Sequence, residues 1–328
     1  MTRLQVLPWI RALWLSGVMA SFAIAGSTQE VLPRWVVELH PDAHQVRRVP
    51  VLTRQASQQP AALRLVVLVG SGCAGMGPLA DVYFRGLSAT EIWIIHKPHT
   101  SPWVRRAPDS CTDEFLRYDR HSSWQADAAS ALDALRDSSI AKPTWIVGIS
   151  EGGEIVPMLA RALGEELQGI VLLSAPGLDP WETMRLQARR LGRMDAWSAI
   201  ERASRSAQND HSILHGRSLG YWRDLMSWSV SQPLLQTDWT ILQVWGDQDE
   251  LVPPAAYERF QALAKGMGAR VCSIRWPRSD HGLTSAVRGS AQSHIWRLVE
   301  NWSQDPLNNC LQGHLASTQP RKKRPAAL

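Results

Sequence analysis

Short apolar runs rich in β-branched residues alternate with amphipathic stretches along most of the chain. Eight runs have the length and composition of buried strands: RWVVELH, VRRVPVLT, LRLVVLVG, EIWIIH, PTWIVGI, GIVLLSA, WTILQVW and RVCSIRW. Stretches of helical period, such as SWQADAASALDALRDS and GEIVPMLARALGEEL, lie between the later runs. Near-continuous apolar strands separated by helices are typical of a parallel sheet covered on both faces. The pattern therefore predicts an α/β fold with a mostly parallel, eight-stranded sheet and helices on both faces.

One interval, residues 178–237, breaks this alternation. It lies between GIVLLSAPG and WTILQVW, and it has helical period and no strand signal. Its length is too great for a plain connection between two strands. We therefore expect a helical lid inserted into the fold, which divides the core into residues 26–177 and 238–305.

The two ends of the chain differ in composition from this core. The leader MTRLQVLPWIRALWLSGVMASFAIAGSTQE places two arginines ahead of an apolar stretch that ends in Ala23-Ile24-Ala25. This layout predicts a signal peptide over residues 1–25, because the stretch is short for an uncleaved anchor that spans a bilayer. Residues 306–328 are polar and basic, which predicts a disordered tail. We expect an exported protein, periplasmic or secreted, with no stable membrane insertion after cleavage.

The formal net charge of +5 is concentrated at these ends. Arg3 and Arg11 lie in the leader, and an RKKR run occupies residues 321–324. Without these six side chains, acidic and basic residues balance almost equally. Binding of nucleic acid through a basic face needs clustered cations on a structured surface. Nucleic acid is therefore not an expected partner.

The stretch Gly148-Ile149-Ser150-Glu151-Gly152 has the form G-x-S-x-G. The pattern alone is weak, because glycine and serine are common enough for it to arise by chance. Here it follows the strand TWIV and opens an amphipathic helix, which is the setting of a nucleophile elbow with the serine in a strained turn. The alternative is an ordinary strand-to-helix turn in which Ser150 caps the helix.

A nucleophilic serine needs a base to take its proton and an acid to orient that base. Asp247 and Asp249 follow the strand WTILQVW, and His281 follows the strand RVCSIRW. Because parallel strands end at the same edge of a sheet, we expect these side chains beside Ser150. Taken singly, each residue has an alternative interpretation: Asp249 could cap the next helix, and His281 could be an exposed loop residue. The order serine, acid, histidine, each after its own strand, favours catalysis.

These motifs resemble those of the α/β-hydrolase superfamily over about residues 34–303. The resemblance implies that the acid is Asp249, three residues after the glycine that ends its strand, and that the base is His281. The GSG and GISEGG stretches are similar to those of a group of secreted bacterial esterases and peptidase-like serine hydrolases. Ile149 stands where those relatives often carry histidine.

Acyl transfer also needs two backbone N–H groups that face the developing oxyanion. We expect one from Glu151, directly after the serine. The other is expected from the loop GSGCAG, because its glycines allow the backbone to approach a ligand closely. Ser71 is favoured over Cys73 as that donor. Many members of the superfamily carry His-Gly at this point, whereas this chain carries Val69-Gly70.

The resemblance implies a serine hydrolase that cleaves carboxylic esters through an acyl-enzyme intermediate, with a small ester or acyl compound as substrate. A secreted serine peptidase or an acyltransferase would use the same residues. A hydrolase-like binding protein without activity is a further alternative. No cofactor or metal is expected, because the H-x-x-H spacing of His96 and His99 on a loop is a weak metal signal. The oligomeric state is not predicted.

Export allows the four cysteines to form disulfides, and four cysteines permit three pairings. Cys73 lies in the oxyanion loop and Cys111 follows the neighbouring strand EIWIIH, so both loops leave the same sheet edge. We expect these two to pair, and Cys272 to pair with Cys310. The alternative is a set of buried free thiols.

Four tryptophans fall within the predicted lid: Trp181, Trp197, Trp222 and Trp228. They could line an apolar acyl pocket. Packing within the lid itself is the favoured interpretation, because aromatic side chains usually form the core of small helical elements.

Overall fold

The computed structural model describes residues 34–44, 47–57, 60–107, 110–285 and 289–302. All of these ranges fall within Pro33–Leu328, one of the two units into which the chain divides. The predicted signal peptide and basic tail lie outside the described residues. None of the helices in these ranges is both long and apolar enough to cross a membrane.

Strands alternate with helices along the described chain, as the hydrophobic pattern predicts. In chain order the strands are β1 (Val36–Pro41), β2 (Arg48–Arg54), β3 (Leu63–Leu68), β4 (Thr90–Ile95), β5 (Thr144–Ile149), β6 (Leu167–Leu173), β7 (Ile213–Leu214), β8 (Arg217–Ser218), β9 (Ile241–Gly246), β10 (Val271–Trp276), β11 (Thr284–Ser285) and β12 (Gly289–Ser290). The helices are α1 (Gly77–Tyr83), α2 (Asp113–Tyr118), α3 (His121–Asp137), α4 (Val156–Leu163), α5 (Pro180–Arg190), α6 (Met194–Ser204), α7 (Leu219–Ser227), α8 (Ser231–Leu235), α9 (Pro254–Met267) and α10 (Gln292–Trp302).

Eight strands form one sheet in the order β1-β2-β4-β3-β5-β6-β9-β10. The β1–β2 and β2–β4 pairs are antiparallel, and every other pair of neighbours in this sheet is parallel. Every residue of β3 and of β4 is buried. Because successive side chains of a strand point to opposite faces, both faces of the sheet are covered. The predicted mostly parallel, eight-stranded α/β fold is confirmed, and each predicted run supplies one strand.

The parallel strands bring the candidate residues to one edge of the sheet. The loops that follow β3, β5, β9 and β10 all leave from the carboxyl ends of parallel strands. These loops carry, in order, Ser71, Ser150, Asp249 and His281. Ligand sites in open α/β sheets lie outside these carboxyl ends.

The segment between β6 and β9 contains four helices, α5 to α8, and a short hairpin of β7 and β8. The expectation that this interval lacks strands is wrong. The hairpin turn is formed by His215 and Gly216, which both have positive φ, as a type I′ hairpin turn requires. Each strand has only two residues, which is too short to give an alternating pattern in the sequence.

Most of the tryptophans of this insertion take part in its own packing. Trp197 and Trp222 are buried in an apolar cluster formed by the insertion, and Trp181 packs against that cluster. Trp228 packs instead against the core around the central sheet. These contacts agree with the packing interpretation of the tryptophans.

Cys73 and Cys111 form a disulfide with a Cα–Cα distance of 5.7 Å, which confirms the predicted pair. The bond joins the loop after β3 to the segment that precedes α2. Cys272, on β10, is also disulfide-bonded. Cys310, the partner predicted for it, lies outside the described residues.

Candidate active site

Ser150 occupies a strained turn directly after β5. Its φ is +53°, in the left-handed region that residues other than glycine rarely adopt. The five residues Ser150–Glu154 form a 3₁₀ turn, and α4 begins only at Val156, so the serine does not open an α-helix directly as the sequence predicts. The strained φ projects the hydroxyl from the sheet edge.

The glycines on either side of Ser150 are required by close backbone contacts. A Cβ at Gly148 would lie 2.4 Å from Cα of Gly153, and one at Gly152 would lie 2.3 Å from the carbonyl oxygen of Leu68. Both contacts are with the main chain, which cannot turn aside as a side chain can. The G-x-S-x-G spacing thus reflects how tightly the turn is packed against β3 and its own 3₁₀ segment.

Ser150, His281 and Asp249 form one hydrogen-bonded chain. Nε2 of His281 lies 3.0 Å from Oγ of Ser150. Nδ1 of the same ring lies 2.9 Å from each carboxylate oxygen of Asp249. Asp247, the other carboxylate after β9, instead pairs with Arg275 at 3.7 Å. The structure therefore brings together the three residues that the sequence analysis selects.

The carboxylate of Asp249 is only 2% exposed, and each of its oxygens has further donors. Oδ1 accepts hydrogen bonds from the backbone N–H groups of Leu251 and Val252, at 2.9 and 2.8 Å. Oδ2 accepts one from the Tyr257 hydroxyl at 2.9 Å. Burial acts to raise the pKa of Asp249, but these bonds and the bond to His281 outweigh burial and lower it. The acid is held ionised.

The insertion contacts the loop that carries Asp249. Arg190, at the end of α5, donates hydrogen bonds to the carbonyl oxygens of Asp249 and Glu250, at 2.8 and 2.6 Å. Gln187 donates to the same Glu250 carbonyl at 2.9 Å. At the histidine, the Ser174 hydroxyl donates a hydrogen bond of 2.6 Å to the His281 carbonyl oxygen. The backbones of both the acid and the histidine are therefore tied down.

A cavity of about 340 Å³ opens over the Ser150 hydroxyl. Its walls are mostly apolar and include Met76, Leu79 and Leu251. Arg105 is the one lysine or arginine among the described residues that line it, and no aspartate or glutamate is among them. No described residue of the insertion lines the cavity either. The walls come from α1, from the loops of the serine, acid and histidine, and from the segments that follow β3, β4 and β6.

The two predicted oxyanion donors lie close to the serine in the chain or in space. Glu151 follows Ser150 directly, and Ser71 lines the cavity beside it. A Cβ built on Gly70 would stand 3.4 Å from Cβ of Ser150, so the loop after β3 runs directly against the serine. Cys73, the other candidate in this loop, is engaged in the disulfide.

His96, His99 and His294 lie outside the chain of hydrogen bonds and have packing contacts. His96 is fully buried, and its Nε2 accepts a hydrogen bond of 3.0 Å from the Met76 N–H, at the start of α1. Burial lowers the pKa of His96 to about 4, so the ring is neutral at pH 7. His99 stacks on Tyr118, and His294 packs against Trp276.

Sequence reasoning missed a buried group of charged residues beside the serine turn. In the folded chain Glu151 binds Lys97, and Glu154 binds His121. Ligand atoms of His121, Glu151 and Glu154 lie within 4.8 Å of one another, and these are residue types that bind transition metals. Lys97 already supplies a cation to the carboxylates, which disfavours a divalent ion there.

Two other missed residues, Tyr257 and Ser174, support the acid and the histidine. Tyr257 lies eight residues after Asp249, in the first turn of α9, and Ser174 directly follows a buried strand. Neither position carries a sequence signal that distinguishes it from an ordinary core or turn residue.

Neither a protein-family model nor a curated protein sequence matches the chain. Its structure is similar to several solved enzymes. One is a thermostable carboxyl esterase from Bacillus coagulans, with a TM-score of 0.57 and 12% identity, covering 82% of this chain and 99% of the esterase. Another is Est1E from Butyrivibrio proteoclasticus, with a TM-score of 0.51 and 13% identity, covering 84% of this chain and 99% of Est1E.

Two larger peptidases are also similar. The acylaminoacyl peptidase of Pyrococcus horikoshii matches with a TM-score of 0.56 and 12% identity over 83% of this chain and 42% of the peptidase. A puromycin-hydrolyzing peptidase of Mycobacterium tuberculosis matches with a TM-score of 0.55 and 18% identity over 89% of this chain and 41% of the peptidase. The chain thus spans about two fifths of the length of these peptidases. Together the likenesses show that the chain has the α/β-hydrolase fold.

Proposed function

We propose that this chain is an exported serine hydrolase that cleaves carboxylic esters. The observation that carries the proposal is the continuous hydrogen-bonded chain from Oγ of Ser150 through His281 to Asp249. Serine, a base and an orienting carboxylate in this geometry are the groups that acyl transfer needs. The strained φ of Ser150 and the nearby cavity add support.

In the proposed reaction, Nε2 of His281 takes the proton of Ser150 as Oγ attacks the ester carbonyl carbon. The resulting oxyanion accepts hydrogen bonds from the backbone N–H groups of Glu151 and Ser71. The intermediate then collapses and expels the alcohol, which takes the proton from His281 and leaves the acyl group on Oγ. Water, deprotonated by His281, then attacks the acyl carbonyl carbon. The bond between that carbon and Oγ of Ser150 breaks, His281 returns the proton to Oγ, and the acid is released. Asp249 orients the ring and stabilises its cationic form throughout.

The walls of the cavity favour esters over peptides that carry a free amine. A free α-amino group is usually bound by a carboxylate, and none is among the described residues that line the cavity. The apolar contacts offered by Met76, Leu79 and Leu251 suit an acyl chain. A serine peptidase for blocked peptides is the second candidate, because two structural neighbours are named as an acylaminoacyl peptidase and a puromycin-hydrolyzing peptidase.

Export is part of this proposal. The disulfide between Cys73 and Cys111 supports it, because disulfides persist in oxidising compartments such as the periplasm. Closure of the cavity by the insertion stays a prediction, whereas the bonds from Arg190 to the acid loop support a bracing function.

Hydrolysis by the purified mature chain tests the proposal. We expect turnover of uncharged short-chain esters and slower turnover of the matched amides. With added alcohols, transfer of the acyl group should increase only in proportion to the alcohol concentration. The Asp249→Asn variant should lose about 10⁴-fold in kcat, since the histidine is left in the wrong tautomer. Asp247→Asn is the matched control and should stay within about twofold of the unmodified chain. Equal losses in the two variants, or no ester turnover by the unmodified chain, would refute the proposal.

A further inference from the structure

Six ionisable side chains meet in a largely buried group beside the serine turn, here termed the elbow cluster: Lys97, Asp119, His121, Glu151, Glu154 and Arg217. None of the six lines the cavity over Ser150. They come from the loops after β4 and α2, from the start of α3, from the 3₁₀ turn and from the hairpin of the insertion. The proposed reaction uses none of their charged groups.

Lys97 is the centre of the elbow cluster. Its Nζ donates hydrogen bonds to Asp119 at 2.7 Å and to Glu151 at 2.9 Å. The side chains of Lys97, Asp119 and Glu151 are 3%, 2% and 7% exposed, so the contacts are almost free of solvent. Arg217 of the insertion binds the other oxygen of Asp119. The insertion is thus linked through Asp119 and Lys97 to the residue after the serine.

Opposite charges within the elbow cluster offset the cost of burying Glu151 and Lys97. Burial acts to raise the pKa of Glu151, but the charge of Lys97, with those of Arg217 and His121, lowers it below its usual value. Burial likewise opposes the charge of Lys97, yet Asp119 and Glu151 raise its pKa. Buried ion pairs add little to stability compared with apolar residues of the same size, because desolvation offsets their attraction. Their presence here calls for another explanation.

The position of Glu151 supplies that explanation. Its backbone N–H is the donor expected to face the oxyanion, and its peptide group belongs to a 3₁₀ turn that starts from the strained Ser150. Short 3₁₀ turns have poorer hydrogen-bond geometry than α-helices, so this turn needs outside support. Lys97 holds the side chain of Glu151, and the indole of Trp228 donates a 2.8 Å hydrogen bond to the Glu154 carbonyl at the other end of the turn.

We propose that Lys97 is a positioning residue for the oxyanion hole, acting through the carboxylate of Glu151, and that Arg217 supports it through Asp119. This inference rests on the proposed function, because it assigns the Glu151 N–H to the oxyanion. An oxyanion donor acts mainly on the transition state, so its misalignment lowers kcat and leaves the binding of the substrate nearly unchanged. A merely structural contact would lower the fraction of folded protein instead.

The chain offers a matched control for Lys97. Lys142 binds Glu91 at 2.9 Å, the same distance as in the Lys97–Glu151 pair, and Glu91 is buried. Lys142 precedes β5, whereas Ser150 follows it, so the control pair lies at the opposite end of the same strand. Lys97→Met removes the lysine from two buried carboxylates and Lys142→Met from one, and only the first change is near the serine.

The test measures kcat and KM for a short neutral ester, with the folded fraction taken from circular dichroism and from titration of reactive serine. For Lys97→Met we expect kcat to fall by about 10- to 100-fold, less than the loss of a whole oxyanion donor, with KM within about twofold. Lys142→Met should keep both constants within about twofold. Lys97→Met with unchanged kcat, or an equal loss in Lys142→Met, would overturn the proposal.

If Lys97→Met does not fold, Glu151→Gln replaces it, because this change keeps the shape of the side chain and introduces no unpaired negative charge. The proposal then requires kcat to fall at least about fivefold at constant KM, as the charge-assisted bond to Lys97 becomes a neutral one. A kcat within twofold overturns it. Absence of ester turnover in the unmodified chain is a different outcome, which contradicts the proposed function itself.

Discussion

The hydroxyl of Tyr257 donates a hydrogen bond of 2.9 Å to Oδ2 of Asp249, and the ring of Tyr257 lies parallel to that of Trp245 with their centroids 4.7 Å apart. One side chain of α9 thus joins the core of the sheet to the acid of the candidate site. Because the hydroxyl is buried and its acceptor is ionised, the bond contributes more than an exposed one would.

We predict that Tyr257→Phe weakens the acid without disturbing the stacked rings. Loss of a hydrogen bond to a charged group lowers the free energy of unfolding by about 2 kcal/mol. The ionised form of Asp249 also loses a donor, so the pKa of its carboxyl group rises. Urea unfolding measures the first effect, and an NMR titration of the Asp249 carboxyl carbon measures the second. An unchanged pKa of Asp249 in the variant would show that the hydroxyl does not support the acid.

Gly152→Ala should disrupt the serine turn. The new Cβ would stand 2.3 Å from the carbonyl oxygen of Leu68, the last residue of β3. Overpacking of this kind costs about 3 kcal/mol, and the displaced turn should also lose ester turnover. Gly266→Ala is the control, because no described atom lies within 4 Å of a Cβ there and the residue is within α9. That variant should gain up to about 1 kcal/mol. Similar thermal stabilities of the Gly152→Ala and Gly266→Ala variants would contradict the close contact at Gly152.

Removal of the Cys73–Cys111 disulfide should destabilise the fold. The bond joins residues 38 positions apart. Its loss gives the unfolded chain more conformational freedom, which lowers the free energy of unfolding by about 4 kcal/mol. The double variant Cys73→Ser with Cys111→Ser should therefore unfold at lower guanidinium concentration than the oxidised parent. Both proteins are compared without reductant, so that the disulfide of Cys272 is kept. Coincident unfolding curves would contradict a stabilising function.

The lowered pKa of His96 predicts that the folded chain loses stability on acidification. Its pKa is about 4 in the folded chain and 6.5 as the usual value, so the unfolded state binds more protons between these limits. Stability is therefore complete above pH 6.5 and decreases as pH falls toward 4, by roughly 3 kcal/mol for this group. His96→Gln should give a shallower dependence on pH in urea unfolding at pH 4, 5, 6 and 7. Equal slopes for variant and parent would show that another group is responsible.

The sequence was most informative where a pattern is local. Each of the eight strands is a short apolar run whose period appears in the sequence itself, and the order in which Ser150, Asp249 and His281 follow their strands predicts that they meet. The Cys73–Cys111 pair could be predicted because both loops leave one edge of a parallel sheet.

Features that depend on packing between distant segments could not be predicted. Lys97 and Glu151 each look like exposed charged residues in sequence, and their pairing depends on burial that only the folded chain creates. The β7–β8 hairpin is too short to have a period. The described residues of the insertion do not line the cavity, and Arg190 of the insertion binds the Asp249 loop, a contact that the helical pattern does not indicate. A helical pattern predicts helices but not the surface against which they pack.

Labelling by a fluorophosphonate tests the central claim most directly, because the probe reacts with a serine only when a neighbouring base activates it. We predict that the purified mature chain is labelled at Ser150 as identified by peptide mapping. Labelling should fall to background in Ser150→Ala and by at least about 10³-fold in rate in His281→Ala, while circular dichroism shows both variants to be folded. No labelling of the folded parent, or an equal rate in His281→Ala, would contradict the account.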